Sequence, residues 1–203
     1  MLFRSDVALD ERMAINGPAP TGRAIAWRRA MPASGVRVDA GADQAAALLA
    51  RDGVALDLGP ADRRFIGRLA AERTVTLAFP QPIDSAAGDP VLVVDGWVEY
   101  PYSSTAFAMW QAQAAYQAPT LEALDPSTGA WKTLVAEYGY PAGMPRTCAF
   151  PIDRAALPAG CTQLRLRTTM ELYLDRVRLA WAEPCPQVAE RVLVPAEIGR
   201  AHV

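Results

Sequence analysis

Gln163-Leu-Arg-Leu-Arg-Thr-Thr-Met-Glu-Leu-Tyr-Leu-Asp-Arg-Val-Arg-Leu-Ala-Trp181 decides the fold class. From Gln163 to Thr169 apolar and polar residues alternate strictly, the period of a strand with one face buried. A tight turn is expected next, and Glu171 to Trp181 reads as a second strand. Its phase breaks midway. Leu172 and Leu174 share one parity, and Val177, Leu179 and Trp181 share the other. A slip of one residue moves every side chain to the opposite face. Either both faces are buried, or an extra residue near Asp175–Arg176 re-phases the strand. The expectation is a bulge there, or a buried and partnered Asp175.

Working outward, the densest stretch is Val91-Leu-Val-Val-Asp-Gly-Trp-Val-Glu-Tyr-Pro-Tyr-Ser-Ser104. Four aliphatic residues in a row, Val91 to Val94, predict a strand buried on both faces. Gly96 is expected to interrupt it, Pro101 to end any ladder, and Ser103 and Ser104 to cap a helix that starts near Thr105. That helix, with Phe107, Trp110 and Ala114 at helical spacing, is expected to reach Tyr116, before Pro119. Upstream, Arg73 to Phe79 alternates Val75, Leu77 and Phe79 against Thr74, Thr76 and Ala78, again a half-buried strand. Downstream, the runs Thr120–Asp125 and Ala130–Val135 flank Pro-Ser-Thr-Gly129 and predict a hairpin with a left-handed glycine. Arg146 to Ile152 is a further strand.

Residues 6–38 carry Pro18, Pro20, Pro32, Gly17, Gly22 and Gly35 and read as an irregular flanking segment, with short strands around Arg12–Ile15 and Ala24–Trp27. Asp43 to Ala50 predicts a short helix capped by Asp43. Six or seven short strands without βαβ alternation make an all-β fold, a jelly-roll β-sandwich with one or two short inserted helices. The sandwich is expected over 39–183 and a linker over 184–196.

Both ends read as translated sequencing adapter. Residues 197–203, Glu-Ile-Gly-Arg-Ala-His-Val, and 1–5, Met-Leu-Phe-Arg-Ser, correspond in frame to a common adapter and its reverse complement, and they are left out of fold reasoning. The expected natural portion is 6–196, an internal piece of a longer protein. His202, the single histidine, falls in the excluded tail. Setting the ends aside removes Arg4, Arg200 and Glu197 and leaves 18 basic against 21 acidic residues. No basic surplus points to nucleic acid. No apolar run approaches the ~20 residues of a membrane span. Cys148, Cys161 and Cys185 lack metal-site spacing; Cys148 and Cys161 could pair if their strands are neighbours, and buried free thiols are the preferred reading.

The hairpin at 121–135 and the strands at 164–179 resemble the latter half of galactose-binding-like jelly rolls. More narrowly, Gly96-Trp-Val-Glu-Tyr-Pro-Tyr-Ser-Ser-Thr105, Tyr140-Pro-Ala-Gly-Met-Pro-Arg-Thr147 and Met170-Glu-Leu-Tyr-Leu-Asp-Arg176 resemble a C-terminal domain of large bacterial proteins with FG-GAP propeller repeats, an ASPIC/UnbV segment and often tetratricopeptide repeats. The resemblance covers roughly 36–182. It implies export, to the periplasm, the cell surface or the medium, and it carries no catalytic residues over.

For an enzyme, the players are few. Without a histidine in 6–196 there is no Ser–His or Cys–His pair. Asp95 and Glu99, taken as a glycosidase pair, would sit about 13 Å apart on a straight strand, beyond the ~5–9.5 Å that such pairs need. Asp84, Asp89 and Asp95 are spread out and do not form a recognised calcium loop, so no cofactor is expected, with a structural calcium ion of the kind jelly rolls often hold as the alternative. A ligand site does better. Trp97, Tyr100 and Tyr102 beside Asp95, Glu99, Ser103 and Ser104 have the composition of a sugar-stacking surface, and the plainer alternative for these rings is packing at the end of the sandwich. Trp110, Trp131 and Trp181 read as core or sheet-face packing. The expected function is a non-catalytic accessory domain binding carbohydrate or a neighbouring domain of the same longer chain, with a purely structural module and, more remotely, a hydrolase fragment as alternatives.

Overall fold

The computed structural model describes residues 5–11, 13, 19–84, 86–185 and 189. Eleven strands follow in chain order: β1 Asp6–Leu9, β2 Ala24–Trp27, β3 Ala30–Pro32, β4 Gly35–Val38, β5 Arg68–Ala78, β6 Pro90–Val98, β7 Thr120–Leu124, β8 Trp131–Val135, β9 Arg146–Pro151, β10 Gln163–Met170 and β11 Leu172–Trp181. They form two sheets, β2-β1-β9-β6-β11-β3 and β4-β5-β10-β7-β8, packed as a β-sandwich. One α-helix, α1, spans Ser103–Gln111.

The period-two residues meet between the sheets. Val36, Val75, Leu77, Leu121, Ala123, Leu164 and Leu166 come from the five-stranded sheet, and Leu92, Val94, Cys148, Phe150, Leu172, Leu174, Val177 and Leu179 from the six-stranded one. Each fully buried Val, Leu or Phe contributes about 1.5–3 kcal/mol. β10 and β11 are consecutive but lie in different sheets, so the expected tight turn is instead a crossing from one layer to the other at Glu171.

The phase break in β11 is a bulge. Its pairing with β6 shifts between Leu174 and Arg176, so Leu172 and Leu174 before it, and Val177 and Leu179 after it, all face the core. Asp175, the extra residue, is buried and accepts hydrogen bonds from the backbone N–H groups of Asp52 and Gly53. A carboxylate that cannot face water is thereby satisfied by two amides, and the 51–61 loop is tied to the sheet. The hairpin also forms as expected, with Gly129 at φ +72° and its N–H donating to Asp125 O over 2.8 Å.

Other expectations are corrected. Residues 6–38 are not a flank, since they contribute β1–β4 and serve both sheets. The expected strand at Ala24–Trp27 is β2, whereas that at Arg12–Ile15 lies, except for Met13, outside the described residues, as does most of 184–196. β2 and β3 occupy opposite edges of one sheet, yet only Arg28 and Arg29 separate them. Three Cα steps span at most ~11 Å, against about 24 Å across five flat inter-strand gaps. The sheet must therefore curl. It closes where Glu183 N donates to Ala26 O over 2.9 Å, around a second small core of Ala8, Trp27, Val91, Val93, Ala149 and Ala180. This is why Val91–Val94 is apolar on both parities: each parity faces a different core.

Gly96 does not interrupt β6, which continues to Val98. Helix α1 starts at Ser103, with Tyr102 at the N-cap and no side-chain cap bond, so Ser103 and Ser104 lie inside the first turn. It stops at Gln111 rather than Tyr116, and Gln113 turns left-handed with φ +52°. The helix expected at 43–50 is a 3-10 turn at Ala45–Leu48, where Asp43 accepts from Ala45 N and also from Val36 N. Cys148 and Cys161 are buried free thiols, and burial pushes Cys148 up to about 11.

Candidate functional site

The seven residues 95–104 singled out in the sequence do not converge on one site. Asp95 is 1 % exposed. It lies on the side of β6 that faces the small core, accepts from the Thr147 hydroxyl and from Arg176 Nε at 2.8 Å, and has Arg51 Nε at 3.8 Å and Arg178 Nη2 at 3.9 Å. It is the centre of an ion cluster rather than a ligand-facing group. Tyr100 turns inward, packs on the main core and meets Tyr140 edge-on at 6.2 Å. Tyr102, Ser103 and Ser104 are exposed at the start of α1. The Asp95–Glu99 pair fails as a catalytic couple, because Asp95 is engaged by arginines while Glu99 is exposed.

Trp97 and Glu99 share the parity of Asp95, and here a site does form. Tyr173 is the register partner of Trp97 across the β6–β11 ladder, and their rings stack with centroids 5.1 Å apart and 9° between planes. Trp97, Tyr173, Glu171, Leu172 and Leu69 form one side of an open cleft of about 550 Å³, and the loop from Gly53 to Ala61 forms the other. Leu56 N donates to Leu174 O at 2.7 Å, so this loop runs along the part of β11 that β3 leaves uncovered.

The polar groups of the cleft are mostly acceptors. Glu171 takes the Tyr173 hydroxyl on one oxygen and Gly67 N on the other, while Asp57 takes Gly59 N. The Glu171 bond, with burial and the charges of Glu171 and Glu99, pushes the Tyr173 phenol up to about 12. Its folded-state value is thus above the ordinary ~10. The stabilisation from this bond is whole below pH ~10 and is lost as pH rises through about 12. Ultraviolet titration of the phenols should show both Tyr173 and Tyr140 in this late range, and in Glu171→Gln the Tyr173 step should separate from that of Tyr140 and move to lower pH. An unmoved step would mean that Glu171 does not hold Tyr173.

Sequence reasoning missed Tyr173, Glu171 and the 53–61 loop. A signal for Tyr173 was present, since an aromatic between Leu172 and Leu174 has the outward parity. The loop carried none, because its place depends on the Asp175 bulge. Trp131 packs on the sheet face, with the Arg165 guanidinium 4.3 Å over its ring, and Trp181 packs on the core. Trp110, expected to pack, is instead 73 % exposed. It stacks on Phe107, at 5.6 Å. Among the described residues no group of three or more His, Cys, Asp or Glu could hold a metal ion, and no helix is long and apolar enough to cross a membrane. No protein-family model, curated protein or solved structure matches this chain.

Proposed function

We propose that this is a non-catalytic accessory domain of a larger exported bacterial protein, a galactose-binding-like jelly roll that takes carbohydrate in the cleft between Trp97–Tyr173 and the 53–61 loop. The observation that carries this reading is the stacked ring pair beside Glu171 in an open cleft of about 550 Å³. An aromatic face covers the C–H side of a sugar ring, and carboxylates and loop carbonyls accept from its hydroxyls.

A glycan array followed by calorimetry tests it. Trp97→Ala and Tyr173→Ala should each weaken binding about tenfold or more, which is about 1.4 kcal/mol. Trp110→Ala, away from the cleft, should leave it unchanged. Absence of binding across a broad array removes the carbohydrate reading.

A second reading, docking against a neighbouring domain of the same longer chain, draws on α1. Tyr102, Phe107 and Trp110 are 67 %, 57 % and 73 % exposed, and exposed aromatic clusters are a common mark of interaction surfaces.

A further inference from the structure

We propose that the cleft selects an acidic saccharide, whose carboxylate or sulfate is bound by the guanidiniums of Arg51 and Arg176 while its ring lies on Trp97–Tyr173. The inference rests on the carbohydrate reading of the cleft and adds the charge of the ligand.

It follows from two successive rungs on one side of the β6–β11 ladder. The first rung is Trp97–Tyr173 and the second is Asp95–Arg176. Side chains two residues apart on a strand stand about 7 Å from each other on the same face, a span that a ring-borne anion bridges once its hydrogen bond of about 2.9 Å to a guanidinium is added. Three guanidiniums converge on the second rung, and among the described residues Asp95 is the carboxylate they share. Asp6 also acts on Arg178. Asp175, on the adjacent bulge, is turned to the amides of Asp52 and Gly53.

Arg51 is the group placed to receive an anion. It stands at the start of the loop that forms the cleft wall, and its side chain crosses above Asp95 to reach the Thr147 hydroxyl at 3.4 Å. Its contacts are long, and its side chain is 49 % exposed. A guanidinium in that position keeps most of its five donors for a carboxylate or a sulfate. Arg178 is more buried, with its Nε inaccessible and unbonded. Burial and the like charge of Arg176 push it below the usual arginine range, so added negative charge nearby is favourable. The cleft lining itself carries Asp57 and Glu171, and Glu99 acts on Tyr173 from beside it, so this part accepts hydroxyls and repels a second anion. The charge pattern therefore orients the ligand.

Calorimetry with matched pairs tests this, using an oligouronate against its carboxyl-reduced form and a sulfated oligosaccharide against its desulfated form. The acidic member of at least one pair should bind about tenfold tighter, and which pair does so identifies the anion. The advantage should vanish in Arg51→Gln, persist in part in Arg51→Lys, and fade near 1 M salt, where the Debye length is about 3 Å. Circular dichroism of both variants should match the parent, since Arg176 keeps Asp95 paired. Equal binding of neutral and acidic members, still lost in Trp97→Ala, overturns the inference and leaves the carbohydrate reading standing. Acidic binding that survives Trp97→Ala is attraction by surface charge alone and also overturns it. No binding by any member overturns both.

Discussion

Asp95→Ala is expected to lower the free energy of unfolding by about 3–5 kcal/mol, the range for removing one partner of a buried ion pair. Asp95 is 1 % exposed and is the carboxylate shared by Arg51, Arg176 and Arg178. Without it, three cations face one another on one side of a single ladder, and the Thr147 hydroxyl loses its acceptor. The cost is mainly that of stranded charge, so the order of truncations matters. Once Asp95 is alanine, removing Arg178 as well should recover part of the loss, whereas removing Arg178 alone should cost less. Urea unfolding of the four members of that double-mutant cycle measures the coupling. Glu72→Ala is the control, because its pair with Arg167 is exposed and 3.4 Å long, worth no more than about 1 kcal/mol. A loss for Asp95→Ala as small as that of the control would sink the idea of a buried hub.

Gly96→Ala is expected to cost about 3 kcal/mol, the upper part of the overpacking range. A Cβ at this position would stand 2.3 Å from the carbonyl oxygen of Tyr173. The obstacle is backbone, so no rotamer change relieves it. β6 and β11 must separate there, at the foot of the Trp97–Tyr173 stack. The same substitution should therefore also weaken ligand binding, although residue 96 itself does not line the cleft. Gly129→Ala makes the comparison. It has φ +72° and open space around its Cβ position, so it carries only the left-handed penalty of about 1–2 kcal/mol. Denaturation midpoints of the two variants check the order, and a Gly96→Ala loss no greater than that of Gly129→Ala would refute the close-approach account.

Both substitutions fall on β6, whose meaning changed most on folding. Its apolar run was legible as a strand buried on both sides. That one side would be a second, separate core was not, because the curl depends on β2 and β3 being tethered by Arg28 and Arg29 at opposite sheet edges. Pro and Gly density made residues 6–38 look irregular, and local signals for strands of three or four residues are too short to outweigh such breakers. Trp110 shows the converse limit. Helical spacing says which residues share a face of α1, but not whether anything packs on that face.

Period-two patterning by itself determined the all-β class and the irregularity at Asp175, and turn composition determined the left-handed glycine of the 125–130 turn. These are local matters, set by backbone sterics and by the rule that a carboxylate among leucines needs a partner. Which groups meet was decided only by the tertiary structure. Strand register brought Tyr173 to Trp97 and Arg176 to Asp95, and the bulge drew the 51–61 loop over the sheet. Residues 76 to 81 positions apart in sequence become neighbours through ladder geometry, which no local pattern encodes.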